Sequence, residues 1–203
     1  MPTIAILATT PQKAELQRSP VFKPHQLIFA QDLPGLLNLK ADAYMDLVFE
    51  PGPERIEALR HLLPSPIFIN SVIQTLSVCG TDFIRINGWP GFLEMPLLEA
   101  ASGEISGSRA RYIFGENIIF VKDVPGLVNP RIISMIINEA YYTLDAGTAT
   151  REEIDTAMKL GTGYPMGPFE WGEKIGLHNI YALLTAMGET DPLYDLAPGI
   201  SNK

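Results

Sequence analysis

The spacing of apolar residues changes once along this chain, at Val124-Pro125-Gly126. Before this point, short runs rich in β-branched and aromatic residues alternate with short helical patterns, and Pro and Gly residues separate them. After it, apolar residues recur at the three- and four-residue spacing of helices that bury one face. The first pattern is typical of α/β units. The sequence therefore predicts a mainly parallel sheet over residues 1–122 and an all-α unit over residues 123–203.

The two patterns predict individual elements. Six strands are expected, at residues 3–7, 26–30, 46–50, 66–70, 83–87 and 117–122. Four helices are expected in the second part: one over residues 132–144, one starting after Thr150, one after Pro168 and one over residues 180–187. Thr150 is expected to cap the second of these, with Glu153 reaching back to it and Gly161 closing the helix.

Composition narrows the classes of partner. The net charge of -8 and the pI of about 4.9 argue against a generic electrostatic grip on nucleic acid or an anionic membrane surface. The single cysteine, Cys79, excludes an internal disulfide, and no His/Cys group has the spacing of a zinc site. The sequence shows neither a signal peptide nor an apolar run of transmembrane length. We therefore expect a cytoplasmic protein with no nucleic-acid, membrane or metal partner.

Residues 123–177 carry a family resemblance. This stretch, and above all its run EEIDTAMKLGTGYPMGPFE, closely resembles the C-terminal domain of the 3-hydroxyacyl-CoA dehydrogenases. Upstream, DLVFE at residues 46–50 and FIRINGWPGFLEMPLLEA at residues 83–100 are similar to two further motifs of that family. The resemblance implies a shortened Rossmann-like domain, which in the family binds NAD. It also implies a helical domain that closes over the acyl chain and supplies most of the dimer contact.

The resemblance points to a catalytic pair. The family uses a His as base and a Glu that orients it, on neighbouring strands, to take the hydroxyl proton while hydride leaves for the nicotinamide. Glu99 matches the Glu, but Asn87 stands at the His position, and an asparagine amide is not competent as a base. Glu99 is therefore either a relic of the pair or an ordinary strand-end acid. A conventional pair would need a histidine from elsewhere, such as His25 or His61 brought to Glu99.

The turn after the first strand also departs from the family. The positions of the family's G-x-G-x-x-G loop fall on Ala8, Thr10 and Lys13, and Pro11 lies between them. Side chains there obstruct the close approach of backbone to pyrophosphate. Glu54 matches an acid that contacts the cofactor in the family, or is simply a first-turn acid favouring a helix N-terminus. We therefore expect that the protein binds no cofactor. NAD is expected as the cofactor only under the alternative that the protein is an active enzyme.

Two functions of different class fit these residues. The first is a 3-hydroxyacyl-CoA dehydrogenase-like protein of fatty-acid and acyl-CoA metabolism that is degenerate in its NAD-binding and catalytic residues. It would serve as a binding or partner module, homodimeric through the helical domain, with acyl-CoA as candidate ligand. The second is an active NAD-dependent 3-hydroxyacyl-CoA oxidoreductase with a rearranged site. The sequence leaves open a third arrangement, in which a partner chain completes the site.

Overall fold

The computed structural model of the protein describes residues 1–200 and divides into two compact units, Met1–Leu127 and Val128 onward. The sequence predicts the boundary at Lys122, and the division falls five residues later. The reason is that the segment after Lys122 is bonded to the first unit. Asp123 accepts a hydrogen bond from the backbone N–H of Leu76 at 2.9 Å, and Gly126 donates one to the carbonyl of Val72 at 2.8 Å.

Within the described residues, the first unit is built on a seven-stranded sheet of order β2-β1-β3-β4-β5-β6-β7. The strands are β1 (Thr3–Leu7), β2 (Gln26–Ala30), β3 (Ala43–Asp46), β4 (Ile67–Asn70), β5 (Ile84–Ile86), β6 (Leu98–Ser102) and β7 (Ile118–Phe120). Neighbouring strands pair in parallel except β5 and β6, which are antiparallel. The predicted α/β class, with a Rossmann-like and mainly parallel sheet, is confirmed.

Helices cover both faces of the sheet. They are α1 (Thr10–Arg18), α2 (Leu33–Asn38), α3 (Pro53–Arg60), α4 (Leu76–Cys79) and α5 (Glu104–Phe114). Leu16 of α1 and Phe114 of α5 belong to one buried cluster, whereas Leu36 of α2 and Leu59 of α3 belong to another. Two apolar layers flanking a parallel sheet are typical of doubly wound folds, which bind ligands at the carboxyl ends of their strands.

The third strand lies earlier than predicted. The sequence predicts it at residues 46–50, whereas β3 ends at Asp46. The buried Asp46 carboxylate accepts hydrogen bonds from the Val48 N–H at 3.2 Å and from the Arg55 guanidinium at 2.8 Å. These bonds turn the chain out of the sheet. Leu47 is fully buried in this turn, so its apolar character reflects burial and not a strand.

Strand β6 is not predicted from its own residues. The segment Leu-Glu-Ala-Ala-Ser contains no β-branched or aromatic side chain, so its strand propensity is weak. Its pairing with β5 on one side and β7 on the other determines its conformation.

The buried Arg85 on β5 joins several segments of the first unit. Its guanidinium donates to the carbonyls of Ser71 at 2.9 Å and Val72 at 3.0 Å, and forms an ion pair with the carboxylate of Asp123. The side chain is fully buried and its charge is compensated. The residues that follow β7 are therefore part of the sheet unit.

The described part of the second unit contains four α-helices: α6 (Asn129–Asp145), α7 (Arg151–Thr162), α8 (Pro168–Ile175) and α9 (Leu177–Gly188). The predicted cap of α7 is confirmed, since Thr150 Oγ1 accepts from the Glu153 N–H and the Glu153 carboxylate accepts from the Thr150 N–H at 2.8 Å. The predicted end is wrong by two residues. Gly161 lies inside the helix, and Gly163 adopts the left-handed conformation (φ 72°) that ends it.

Among residues 1–200, no helix has the length and apolar character needed to cross a bilayer. No group of three or more His, Cys, Asp or Glu side chains in the same range could hold a metal ion. The cytoplasmic location stays a prediction.

Candidate functional site

Asn87 and Glu99 face each other at the carboxyl end of β5. The antiparallel register pairs Ile86 with Ala100, so the next residues outward are Asn87 and Glu99, and the Asn87 N–H donates to the Glu99 carbonyl at 3.4 Å. Residues directly opposite on antiparallel strands project their side chains from the same face. Both residues are buried, at 3% and 4% exposure. The structure therefore brings together the two residues that the sequence assigned to the catalytic pair.

Of the two polar atoms in the Asn87 side chain, the oxygen alone has a hydrogen-bond partner among the described residues. Its Oδ1 accepts a hydrogen bond from the Trp89 N–H at 3.2 Å, whereas its buried Nδ2 has no hydrogen-bond partner in the described part of the chain. A buried donor without a partner costs free energy and is rare in native structures. The carboxamide can donate or accept a hydrogen bond, but it has no nitrogen that takes up a proton near neutral pH.

Two of the histidines lie at the opposite end of the sheet. His25 immediately precedes β2, and His61 follows α3 before the chain enters β4, so both are at the amino ends of the parallel strands. Glu99 is at the carboxyl end of β5, and four strands separate β2 from β6. The sheet therefore does not bring either histidine to Glu99. The third, His178, is an exposed residue of α9 in the second unit.

His25 has an apolar environment. Its ring packs edge-on against Phe114 at 5.1 Å between centroids, and its buried Nδ1 has no hydrogen-bond partner among residues 1–200. Burial lowers the pKa of His25 from its usual value, and the charge of the chain's amino terminus lowers it further. This histidine favours the neutral form as part of the packed layer.

Side chains also cross-link the carboxyl ends of several strands. The Gln12 carboxamide donates to the carbonyls of Leu47 at 3.1 Å and Gly88 at 3.5 Å. Asn70 donates to the same Leu47 carbonyl at 3.2 Å and accepts from the Gly88 N–H at 3.0 Å. A Cβ on Gly88 would lie 2.7 Å from the Asn70 side chain, so only glycine fits there. The chain's own groups thus bridge the crevice beside β1 and β3, the switch point of the sheet.

The N-terminus of α1 is closed by a capping box. Thr9 caps the helix, its N–H donates to Gln12 Oε1 at 2.9 Å, and its Oγ1 accepts from the Gln12 N–H at 3.5 Å. Pro11 has no N–H to offer. The donors that would hold a phosphate at a helix N-terminus are therefore largely used or absent. The pattern T-x-x-Q at residues 9–12 is the sequence signature of a capping box. It was not predicted, because these residues were compared only with the glycine loop of the family.

The other predicted cofactor positions have structural roles. Ala8 ends the turn after β1, Thr10 is the first residue of α1, and the Lys13 ammonium lies over the Phe29 ring at 5.4 Å from its centroid. Glu54 lies in the first turn of α3, eight residues beyond the end of β3. Its role as a cofactor contact stays a prediction. Taken together, the turn after β1 contains no glycine, and the N-terminus of α1 is capped by the chain's own side chains.

The run GTGYPMGPFE forms the junction between α7 and α8. Asp155 of α7 accepts hydrogen bonds from the N–H groups of Phe169 at 2.8 Å and Glu170 at 3.3 Å, which caps α8. A Cβ on Gly167 would lie 2.2 Å from Asp155 Oδ1, so this position requires glycine. The Glu170 carboxylate accepts from Lys159 and from the Gly167 N–H, and these bonds, with Lys159 first, lower the pKa of Glu170. Each of these residues has a role in the fold.

An apolar groove of about 630 Å³ lies between α6 and α7 in the second unit. Its lining includes Ile132, Met135, Ile136, Ile154, Ala157 and Met158. Ile132 is 53% exposed, whereas the apolar face of residues 180–187, from Ile180 to Met187, is buried in the single chain. Within the described residues, the exposed apolar surface of the second unit therefore includes the α6 side of this groove.

The chain is similar to known proteins in sequence and in fold. The family model described as the 3-hydroxyacyl-CoA dehydrogenase C-terminal domain matches residues 126–200. The 3-hydroxybutyryl-CoA dehydrogenase of Bradyrhizobium diazoefficiens is 40% identical over 190 residues, which are 91% of this chain and 56% of that protein. The 3-hydroxyadipyl-CoA dehydrogenase of Escherichia coli is 44% identical over 70 residues, which are 34% of this chain and 15% of that protein.

A solved structure shares the whole fold. The (S)-3-hydroxybutyryl-CoA dehydrogenase of Ralstonia eutropha superposes with a TM-score of 0.69 at 20% sequence identity, over 96% of this chain and 90% of that chain. The chain spans little more than half the length of the Bradyrhizobium relative and a smaller share of the Escherichia coli one. The predicted resemblance is confirmed by these matches: residues 126–200 belong to the family of 3-hydroxyacyl-CoA dehydrogenase C-terminal domains.

Proposed function

We propose that this 3-hydroxyacyl-CoA dehydrogenase-like protein does not transfer hydride and serves in fatty-acid and acyl-CoA metabolism as a homodimeric binding or partner module. The observation that carries the proposal is the buried pair of Asn87 and Glu99 on β5 and β6. Oxidation of a 3-hydroxyacyl thioester needs a group that takes the hydroxyl proton as hydride leaves. An amide opposite the carboxylate supplies a hydrogen-bond donor but no base.

The N-terminus of α1 supports the same proposal for the cofactor. The Thr9–Gln12 capping box uses two backbone N–H groups, Pro11 lacks one, and the Gln12 side chain bridges to Leu47 and Gly88. A dinucleotide in the usual position would have to displace these internal bonds. We therefore expect no NAD bound at this crevice, and acyl-CoA as the ligand class that family membership favours.

The α6–α7 groove supports the dimeric part of the proposal. Most of its lining side chains are apolar, so burying them against another apolar surface would be favourable. A second copy is the partner we propose for it. Ile132, which is half exposed at the groove, is the residue whose charge substitution tests this contact.

The alternative function is an active NAD-dependent 3-hydroxyacyl-CoA oxidoreductase. One observation favours it: Glu99, at the position of the family's Glu, is buried beside Asn87 on the neighbouring strand. His25 and His61 do not strengthen this alternative, because both lie at the amino ends of the strands.

Titration with NADH, following nicotinamide fluorescence, separates the two functions. Acetoacetyl-CoA is present or absent in the titration, and NADH oxidation is followed at the same time. The proposal expects no saturable NADH signal up to about 1 mM and no oxidation, with acetoacetyl-CoA binding measured separately by calorimetry. Saturable NADH binding in the micromolar range together with oxidation would establish the enzyme instead. Absence of acetoacetyl-CoA binding would contradict the ligand class.

The variant Asn87→His provides a matched test of the cofactor site. It places an imidazole opposite Glu99 without changing α1. If only the base is missing, this variant gains NADH oxidation. The proposal expects it to remain inactive, because the Thr9–Gln12 turn is unchanged.

A further inference from the structure

Helix α5 exposes two large apolar side chains to solvent. Ile105 is 71% exposed and Tyr112 is 87% exposed, although the opposite side of the helix is buried in the sheet unit. The buried side consists of Gly107, Ala110, Ile113 and Phe114. Ile105 and Tyr112 are seven residues apart, which places them on one stripe two turns apart, about 10 Å along the helix.

Two opposite charges lie along one edge of this stripe. Glu104 and Arg111 are also seven residues apart, and both line a hollow of about 500 Å³ beside β7. The Arg111 guanidinium lies over the Phe120 ring at 5.4 Å, which holds it on this side. Arg109 lies at the other edge, in a separate hollow that it shares with Asp82.

This arrangement is self-complementary under two-fold symmetry. When two copies of a helix pack antiparallel across a two-fold axis, residues on the same edge meet, and positions equidistant from the axis exchange partners. With the two-fold axis close to Ser108, Glu104 of each copy lies against Arg111 of the other, which gives two equivalent pairs. The same axis places Ile105 against Tyr112 of the other copy, and Ser108 is small enough to allow a close approach there.

We propose that α5 is an isologous interface for a second copy of this chain, distinct from the α6–α7 groove. The exposed apolar pair supplies the buried core of the contact, and the Glu104–Arg111 pairs determine its direction. In a parallel two-fold arrangement, the edge that carries Glu104 and Arg111 would lie on opposite sides of the contact in the two copies, so these pairs form only in the antiparallel one.

Molar mass in solution, measured by light scattering and sedimentation over a dilution series, tests the interface. Tyr112→Glu is expected to weaken self-association at least tenfold, because it buries a charge in the apolar part of the contact. Leu160→Glu is the matched control, since Leu160 is 83% exposed on α7 outside the proposed interface. Unchanged self-association of Tyr112→Glu would overturn the inference, with circular dichroism used to verify folding of each variant.

Charge reversal provides the second test. Glu104→Arg and Arg111→Glu should each weaken association severalfold, because each creates like-charge contacts. The double variant should return association to within about threefold of the wild type, because the pairs are restored with exchanged signs. A double variant as weak as the single ones would contradict the antiparallel geometry. These approximate fold-changes in association correspond to the coupling energies usually measured for close charge pairs.

A comparison with Ile132→Glu separates this inference from the dimer proposed for the groove. If both surfaces operate, the wild type is larger than a dimer, and each substitution alone reduces its mass. If only α5 operates, the wild type is a dimer that Tyr112→Glu dissociates and Ile132→Glu does not. Dissociation by Ile132→Glu alone would overturn the α5 interface while supporting the groove.

Discussion

Helices α1 and α8 are capped in different ways. The residues at the N-terminus of α1 differ from the glycine loop of the family, whereas those at the N-terminus of α8 resemble the family's motif. The cap of α1 is local: Thr9 and Gln12 satisfy each other, and the Gln12 amide extends to Leu47 and Gly88. The cap of α8 comes from a neighbouring helix, because Gly167 has no side chain and Asp155 of α7 accepts from the N–H groups of Phe169 and Glu170.

The difference shows that the two helix starts depend on different residues for folding. The residues of the α7–α8 junction are needed for folding, since the two helices approach so closely that only Gly167 fits against Asp155. The turn after β1, whose residues differ from the glycine loop of the family, folds with a capping box that requires no glycine. A retained α8 motif therefore identifies the family without showing that the reaction is retained.

Asp155→Ala tests the α8 cap and should have the largest effect. It leaves the buried N–H groups of Phe169 and Glu170 without their acceptor, so the free energy of unfolding should fall by about 3 kcal/mol. Urea denaturation followed by circular dichroism measures it. Glu152→Ala, at an exposed position of the same helix, is the control. A loss for Asp155→Ala no greater than for that control would contradict the assigned role.

Gly167→Ala and Gly161→Ala compare two glycines of one motif. A Cβ at Gly167 would lie 2.2 Å from Asp155, whereas nothing lies within 4 Å of a Cβ at Gly161. We expect Gly167→Ala to cost about 2 kcal/mol through overpacking. Gly161→Ala, inside α7, should stabilise by about 0.5 kcal/mol. Equal effects in thermal unfolding would mean that the motif is not selected by close packing.

Gln12→Ala tests the local cap of α1. The carboxamide bonds are partly exposed, so the expected loss of stability is about 1 kcal/mol, smaller than at the α8 junction. Gln17→Ala on the exposed face of the same helix should be neutral. If the loss at Gln12 exceeds that at Asp155, the two caps contribute in the reverse order.

The contribution of His25 to stability should be the smallest of these effects, and it should depend on pH. Its pKa in the folded protein is lowered by burial, so the native state favours the neutral ring. The corresponding stability is present above the unfolded pKa of about 6.5 and is lost as pH falls through the lower folded pKa. Because solvent screens a partly exposed group, the loss should be less than about 1 kcal/mol. Unfolding of wild type and His25→Gln at pH 7.5 and 5 measures it, and a larger loss in the variant would reverse the assignment.

The elements that local sequence determines were predictable, and those that depend on distant partners were not. Thr150 and Glu153 cap α7 as their spacing predicts, because both partners lie within one turn. Strand β3 was placed too late because Asp46 is held by Arg55, and β6 was missed because its pairing with β5 and β7 outweighs its weak propensity. The family resemblance, and not a local sequence pattern, implied that Asn87 and Glu99 lie on neighbouring strands. The bridge from Gln12 to Gly88 joins residues too distant in sequence for any local pattern to indicate it.

The ion pair between Arg85 and Asp123 has a consequence for dissecting the chain. A fragment that ends at Lys122 would leave the guanidinium buried without its counter-ion, at a cost of about 3–5 kcal/mol, a large share of the stability of a small domain. A fragment that ends at Leu127 retains both charges and the bond from Gly126 to Val72. The smallest autonomous form of the sheet unit should therefore include the five residues past Lys122. Supplied as a peptide, those residues could complement the shorter fragment in trans.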